Sequence, residues 1–150
     1  MQVIIAAIGR DRAGPTRDLF EDYCRRSPWP VRLTEIAPRS GPIERRLDEE
    51  GARLLRAVPK DALLIALDAA GAQTDSAGFA RRIGRWQEQA DVVAFAIGGA
   101  DGLARVVLDQ AKATIAFGRM TWPHRLVRVM LAEQIYRAGT ILSGHPYHRA

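Results

Sequence analysis

Lysine is almost missing from this chain: twenty of its twenty-two basic residues are arginine, and with seventeen acids the net charge is +5. A positive surplus favours a polyanionic partner, because phosphate attraction supplies affinity without reading sequence. The arginines form no tail and are spread along the chain, so a solvated mixed-charge surface explains them equally well. Cysteine is limited to Cys24. This excludes an internal disulfide, fits a reducing cytoplasm, and leaves Cys24 as a small buried hydrophobe on the first helix. Long apolar runs are missing too. Val3 to Ile8 is short and has no basic region before it, so it reads as a buried strand, and neither a membrane span nor a signal peptide is expected.

Several catalytic signatures are also lacking. No G-x-S-x-G elbow or Ser-His-Asp arrangement is present, which removes the commonest hydrolase reading. Gly9 and Gly14 have the spacing of a P-loop, but Pro15-Thr16 stands where Lys-Ser/Thr is required. His145 and His148 have no cysteine or carboxylate cluster near them, so no metal site is expected.

What is there is an alternation of short apolar runs and helical patterns, the mark of a sheet covered by helices in a single domain spanning 1–150. At this length the fold buries about 70% of the surface its unfolded chain exposes. Strands are expected at Val3–Ile8, Val31–Ile36, Ala62–Leu67, Val92–Ile97 and Ala113–Phe117. Between them, helical stripes follow Pro15-Thr16, run from Ile43 through Leu47 and Leu54 to Val58, and bury Phe79, Ile83 and Trp86 behind a cap at Asp75 or Ser76. Gly71 is placed in the turn after the third strand. A short helix holding Leu103 and Val107 follows the fourth, and Pro123 opens the last helix, to about Leu142.

Two segments exceed what packing requires. Gly98-Gly99-Ala100-Asp101-Gly102 follows a buried strand, where glycines let a ligand approach the backbone, although the spacing is not that of a dinucleotide fold. The last thirty residues carry Pro123-His124, Glu133 to Arg137 and Pro146-Tyr147-His148-Arg149. Glu133 and Arg137 stand four apart in the order that favours a helix-surface ion pair, and His124 suits a hydrogen bond to the neighbouring loop. Leu126, Val127, Val129, Met130, Leu131 and Ile135 put apolar residues on more than one face of the helix, which suits an interface as well as a core.

Taken together, Leu67-Asp68 with Gly71, Ile97-Gly98-Gly99 with Gly102, Met120 to His124, Leu126-Val127-Arg128, Ala132 to Ala138 and His145 to Arg149 resemble one family across the whole chain. It is the RlmH family of small SPOUT-class methyltransferases, which modify a pseudouridine in large-subunit ribosomal RNA. The resemblance implies an α/β sheet with a C-terminal trefoil knot, a topology that sequence rules alone would pass over. It implies S-adenosylmethionine held by Leu67, Gly99 and the backbone of Gly118, Arg119, Met120, Thr121, Trp122 and Pro123. It also implies a homodimer in which the partner's C-terminal segment completes each site, acting on 23S rRNA in the large subunit or whole ribosome.

Glu133, Arg137 and His148 are the catalytic candidates, and Tyr147, His148, Arg149, Arg10 and Arg12 the RNA contacts, with Tyr147 suited to stack on a base. Three departures stand out: Gly118-Arg119 where relatives often have a serine-bearing stretch, Ala72 where lysine is common, and Trp122 in place of an aliphatic residue. Trp122 is expected either to pack on adenine or to fill the core. The alternative reading is a non-catalytic RNA- or ribosome-binding protein on the same scaffold.

Overall fold

Strands and helices alternate throughout the computed structural model, which describes residues 1–148: β1 (Gln2–Ile8), α1 (Pro15–Arg26), β2 (Val31–Ile36), α2 (Ile43–Ala57), β3 (Leu63–Gln73), α3 (Ser76–Gln89), β4 (Val92–Ile97), α4 (Arg105–Gln110), β5 (Ala113–Ala116) and α5 (His124–Leu142). The strands form one sheet in the order β2-β1-β4-β3-β5, every pairing parallel. A parallel sheet needs cover on both faces, which is why its inner strands are apolar at successive positions.

The two faces differ in the size of their side chains. Val93, Phe95 and Ile97 of β4 pack with Phe20 of α1, with Phe79, Ile83 and Trp86 of α3, and with Leu131 and Ile135 of α5. Trp86 and Phe95 meet edge to face with centroids 6.2 Å apart, a favoured aromatic geometry. On the other face Ala94 and Ala96 meet the layer of Leu54 from α2 and Val107 from α4. Small residues there let the helical layer come close: a Cβ on Gly51 of α2 would lie 2.6 Å from the Ala104 Cβ.

The expected strands and helices are found, with local differences. Ile43, assigned to the buried stripe of α2, is 55% exposed because it begins the helix beyond the edge of the core. Leu103 is buried but precedes α4, which starts at Arg105. Asp75, not Ser76, caps α3, its carboxylate accepting from the Gly78 amide at 2.6 Å.

The largest difference concerns Gly71, which lies inside β3 and not in a turn. β3 pairs with β5 through Ile65–Leu67, shifts register, and pairs with it again at Ala72 and Gln73. Gly71 passes so close to β5 that a Cβ there would sit 2.6 Å from the Ile115 carbonyl carbon and 2.7 Å from its nitrogen. Backbone atoms cannot rotate aside, so Gly71→Ala is expected to lower unfolding free energy by about 1–3 kcal/mol, the usual cost of overpacking. Denaturant titration checks this, and an unchanged midpoint contradicts the close approach.

Candidate functional site

Ligands of open parallel sheets collect at the carboxyl ends of the strands, and a cavity of about 620 Å³ opens there. Its walls come from Leu67 to Ala69 within β3, from Ile97 to Ala100 and Gly102 at the end of β4, and from Phe117, Gly118, Met120 to His124 and Val127 after β5. The first is pushed outward by the register shift in β3, and Asp68 braces it by accepting the Ala70 amide at 2.9 Å.

The second wall is a tight turn in which the Gly102 amide donates to the Gly99 carbonyl at 3.1 Å. Gly98 has to be glycine, since a Cβ there would lie 2.3 Å from the Gly102 oxygen. An ion pair between Arg46 of α2 and Asp101 ties the turn down from outside. α4 begins three residues beyond the turn, so the glycines border the cavity through a loop and not through a helix N-terminus. A Cβ on Gly99 would meet Ile8 at 3.2 Å, so a branched residue there first disturbs the core beside the cavity.

The third wall is extended and exposed. Met120 is 72% and Trp122 40% exposed, so Trp122 lines the cavity and does not fill the core; its indole N–H donates to the Phe117 carbonyl at 3.2 Å. Gly118 has φ +107°, a conformation a serine would rarely adopt, so the departure at this position is built into the backbone. Of the expected cofactor residues, Leu67, Gly99, Gly118, Met120, Thr121, Trp122 and Pro123 line the cavity and exposed Arg119 does not.

The expected catalytic residues do meet one another, but away from this cavity. The Arg137 Nε donates to Glu133 at 2.9 Å, Arg137 lies 3.5 Å from the His148 Nδ1, and the Tyr147 hydroxyl donates to Glu133 at 3.3 Å. Tyr147 packs against its own chain: its ring is 4.7 Å from Tyr136, and the guanidinium of Arg137 lies over it at 4.9 Å. Burial, reinforced by a hydrogen bond with Tyr23, pushes the Tyr147 phenol up to about 12.

Glu133 instead borders a second cavity, of about 640 Å³, which shares Ile115, Phe117 and Gly118 with the first. Arg10 and Arg12 are exposed on the loop after β1, and Arg149 lies outside the described residues. No group of three or more potential metal ligands, and no helix long and apolar enough to cross a membrane, occurs among the described residues.

His124 is suited by the sequence alone to a hydrogen bond with the neighbouring loop and not to a place in the cavity wall. It lines the first cavity, and no loop hydrogen bond holds it among the described residues; its ring lies against Gly9, whose Cβ would come 3.3 Å from Nε2. Its position beside Pro123 was legible, but its neighbour Gly9 at the end of β1 was not. Burial lowers its pKa, the cations Arg128 and Arg125 lower it further, and Asp11 opposes them. With the folded value below the unfolded 6.5, the unfolded chain binds the proton more readily. The neutral ring therefore contributes stability above 6.5 that is lost as pH falls through 6.5 toward the folded value. An NMR titration of the ring is expected to show a midpoint below 6.5; a midpoint at or above 6.5 contradicts the arrangement.

A parallel sheet of order 2-1-4-3-5 with a cavity at the carboxyl ends of its strands is an α/β architecture suited to a small-molecule ligand. Residues 1–148 match the family model described as "Predicted SPOUT methyltransferase". A probable methylase family protein from Haemophilus influenzae shares the fold at a TM-score of 0.61 with 11% identity, over 99% of this chain and 70% of that one. Proteins named Ribosomal RNA large subunit methyltransferase H are similar along their full lengths. The chain is 54% identical to the one from Rhodospirillum centenum over 100% of both, and 49% identical to that from Paracoccus denitrificans over 99% of both. The chain belongs to this methyltransferase H family of the SPOUT methyltransferases. Membership implies a methyl donor.

Proposed function

We propose that the protein uses S-adenosylmethionine to methylate N3 of a pseudouridine in 23S rRNA, in the cytoplasm, on the large subunit or assembled ribosome. The observation that carries this reading is the cavity between the register shift of β3 and the segments after β4 and β5, in a chain so similar to large-subunit rRNA methyltransferases. The cavity suits the donor. Its volume is typical of a small-molecule site, Leu67, Ile97, Ile115 and Val127 offer apolar walls, and the turns at 98–102 and 117–123 bring backbone polar groups to its edge. The knotted threading belongs to the same reading.

When bound, S-adenosylmethionine supplies an electrophilic methyl carbon whose carbon–sulfur bond breaks as the bond to nitrogen forms. The chain's part is to hold that carbon in line with the imide nitrogen, which supplies much of the rate. Loss of the N3 proton leaves negative charge on the imide, which cations such as Arg137 and Arg10 stabilise; the proton passes to solvent or to a residue such as His148 or Glu133. Since Glu133, Arg137 and His148 do not line their own chain's donor cavity, a homodimer that brings one chain's tail to the partner's cavity fits this arrangement. Exposed Leu19 and Leu126, at 47% and 40%, offer apolar surface for such an interface.

Ribosomes from a strain lacking the modification are expected to gain one methylated pseudouridine on incubation with the protein and S-adenosylmethionine, read by nucleoside mass spectrometry. Removing residues 146–150 is expected to keep the fold and donor affinity but slow methylation at least about tenfold, some 1.4 kcal/mol of transition-state stabilisation. Full methylation by the truncated protein contradicts the role of the tail.

A further inference from the structure

The largest fully buried side chain is a charged one. Arg128 of α5 is 1% exposed. One terminal nitrogen donates to the carbonyls of Ile8 at 3.0 Å and Gly9 at 2.8 Å, where β1 ends. The other donates to Glu35 of β2 at 2.8 Å. The same Glu35 oxygen accepts the Asp11 amide at 2.7 Å, and the Asp11 carboxylate accepts the Thr16 hydroxyl at 3.0 Å. One guanidinium thus joins α5, the ends of β1 and β2, and the loop leading to α1.

This is a costly way to fill space. The buried Nε has no hydrogen-bond partner among the described residues, whereas an apolar residue of similar size would leave no donor unpaired and often serves stability as well. What the fork fixes borders the donor cavity on two sides. One turn earlier on α5, His124 rests against Gly9 and continues into Pro123 and the 117–123 wall. On the other side, the Ile8 side chain lies against Gly99 in the 98–102 turn. Both walls therefore meet at the two residues whose carbonyls Arg128 holds.

We propose that Arg128, anchored by Glu35, is a positioning residue for the methyl donor: it sets the 117–123 wall against the 98–102 turn through Ile8 and Gly9. The proposal rests on the reading that this cavity binds S-adenosylmethionine. Lysine keeps the charge but not the planar fork that reaches three acceptors. Calorimetry with S-adenosylmethionine is expected to show at least about tenfold weaker binding by a folded Arg128→Lys protein, while kcat at saturating donor falls less than about threefold.

A purely structural role would lower the melting temperature without this split. Donor affinity equal to wild type in folded Arg128→Lys overturns the proposal. If that variant does not fold, Glu35→Gln, which keeps the shape and weakens the anchor, decides: weaker donor binding supports the proposal and unchanged binding overturns it. Wild-type protein that binds no donor contradicts the cofactor reading itself, and the proposal falls with it.

Discussion

The double pairing of β5 with β3 is the contact on which the rest of the site depends. β5 is short, yet it bonds to β3 on both sides of a register shift, first at Ile65–Leu67 and again at Ala72–Gln73. The intervening residues have no place in the ladder and are displaced to become a cavity wall. The pairing also fixes where β5 ends, and so where the 117–123 segment starts its path back across the sheet. Gly71 permits the approach because backbone can pass backbone there without a side chain between them.

Most of the framework was legible because a parallel sheet buried on both faces writes itself as apolar runs bounded by prolines, glycines and acids. Val31–Ile36 and Val92–Ile97 have the expected limits, and Pro15 and Pro123 mark helix starts as proline does at an N-terminus. The third strand was read too short for a physical reason. Asp68-Ala69-Ala70-Gly71 looks like a turn locally, and only pairing with a strand over forty residues away carries it back into the sheet. Periodicity cannot report such a contact.

The candidate site was legible in part. Leu67, Gly99 and the 118–123 segment were reached by resemblance, and all of them but Arg119 line the same cavity. The buried charge network was invisible, because Glu35 and Arg128 are 93 positions apart and each reads alone as an ordinary surface charge. The tail's folding back onto α5 was equally hidden: Tyr147 finds Tyr136, Glu133 and Arg137 on its own helix, so its aromatic surface is already engaged within the chain.

The central claim is that the methyl donor sits against Leu67 to Ala69 of β3 and the segments following β4 and β5, and not against the Glu133–Arg137 cluster. Backbone amide chemical shifts recorded while S-adenosylmethionine is added test it most directly. The account predicts the largest perturbations at Leu67 to Ala69, Gly98 to Gly102 and Phe117 to His124. Perturbations centred on Glu133, Arg137 and Tyr147 with those three segments unmoved would contradict it.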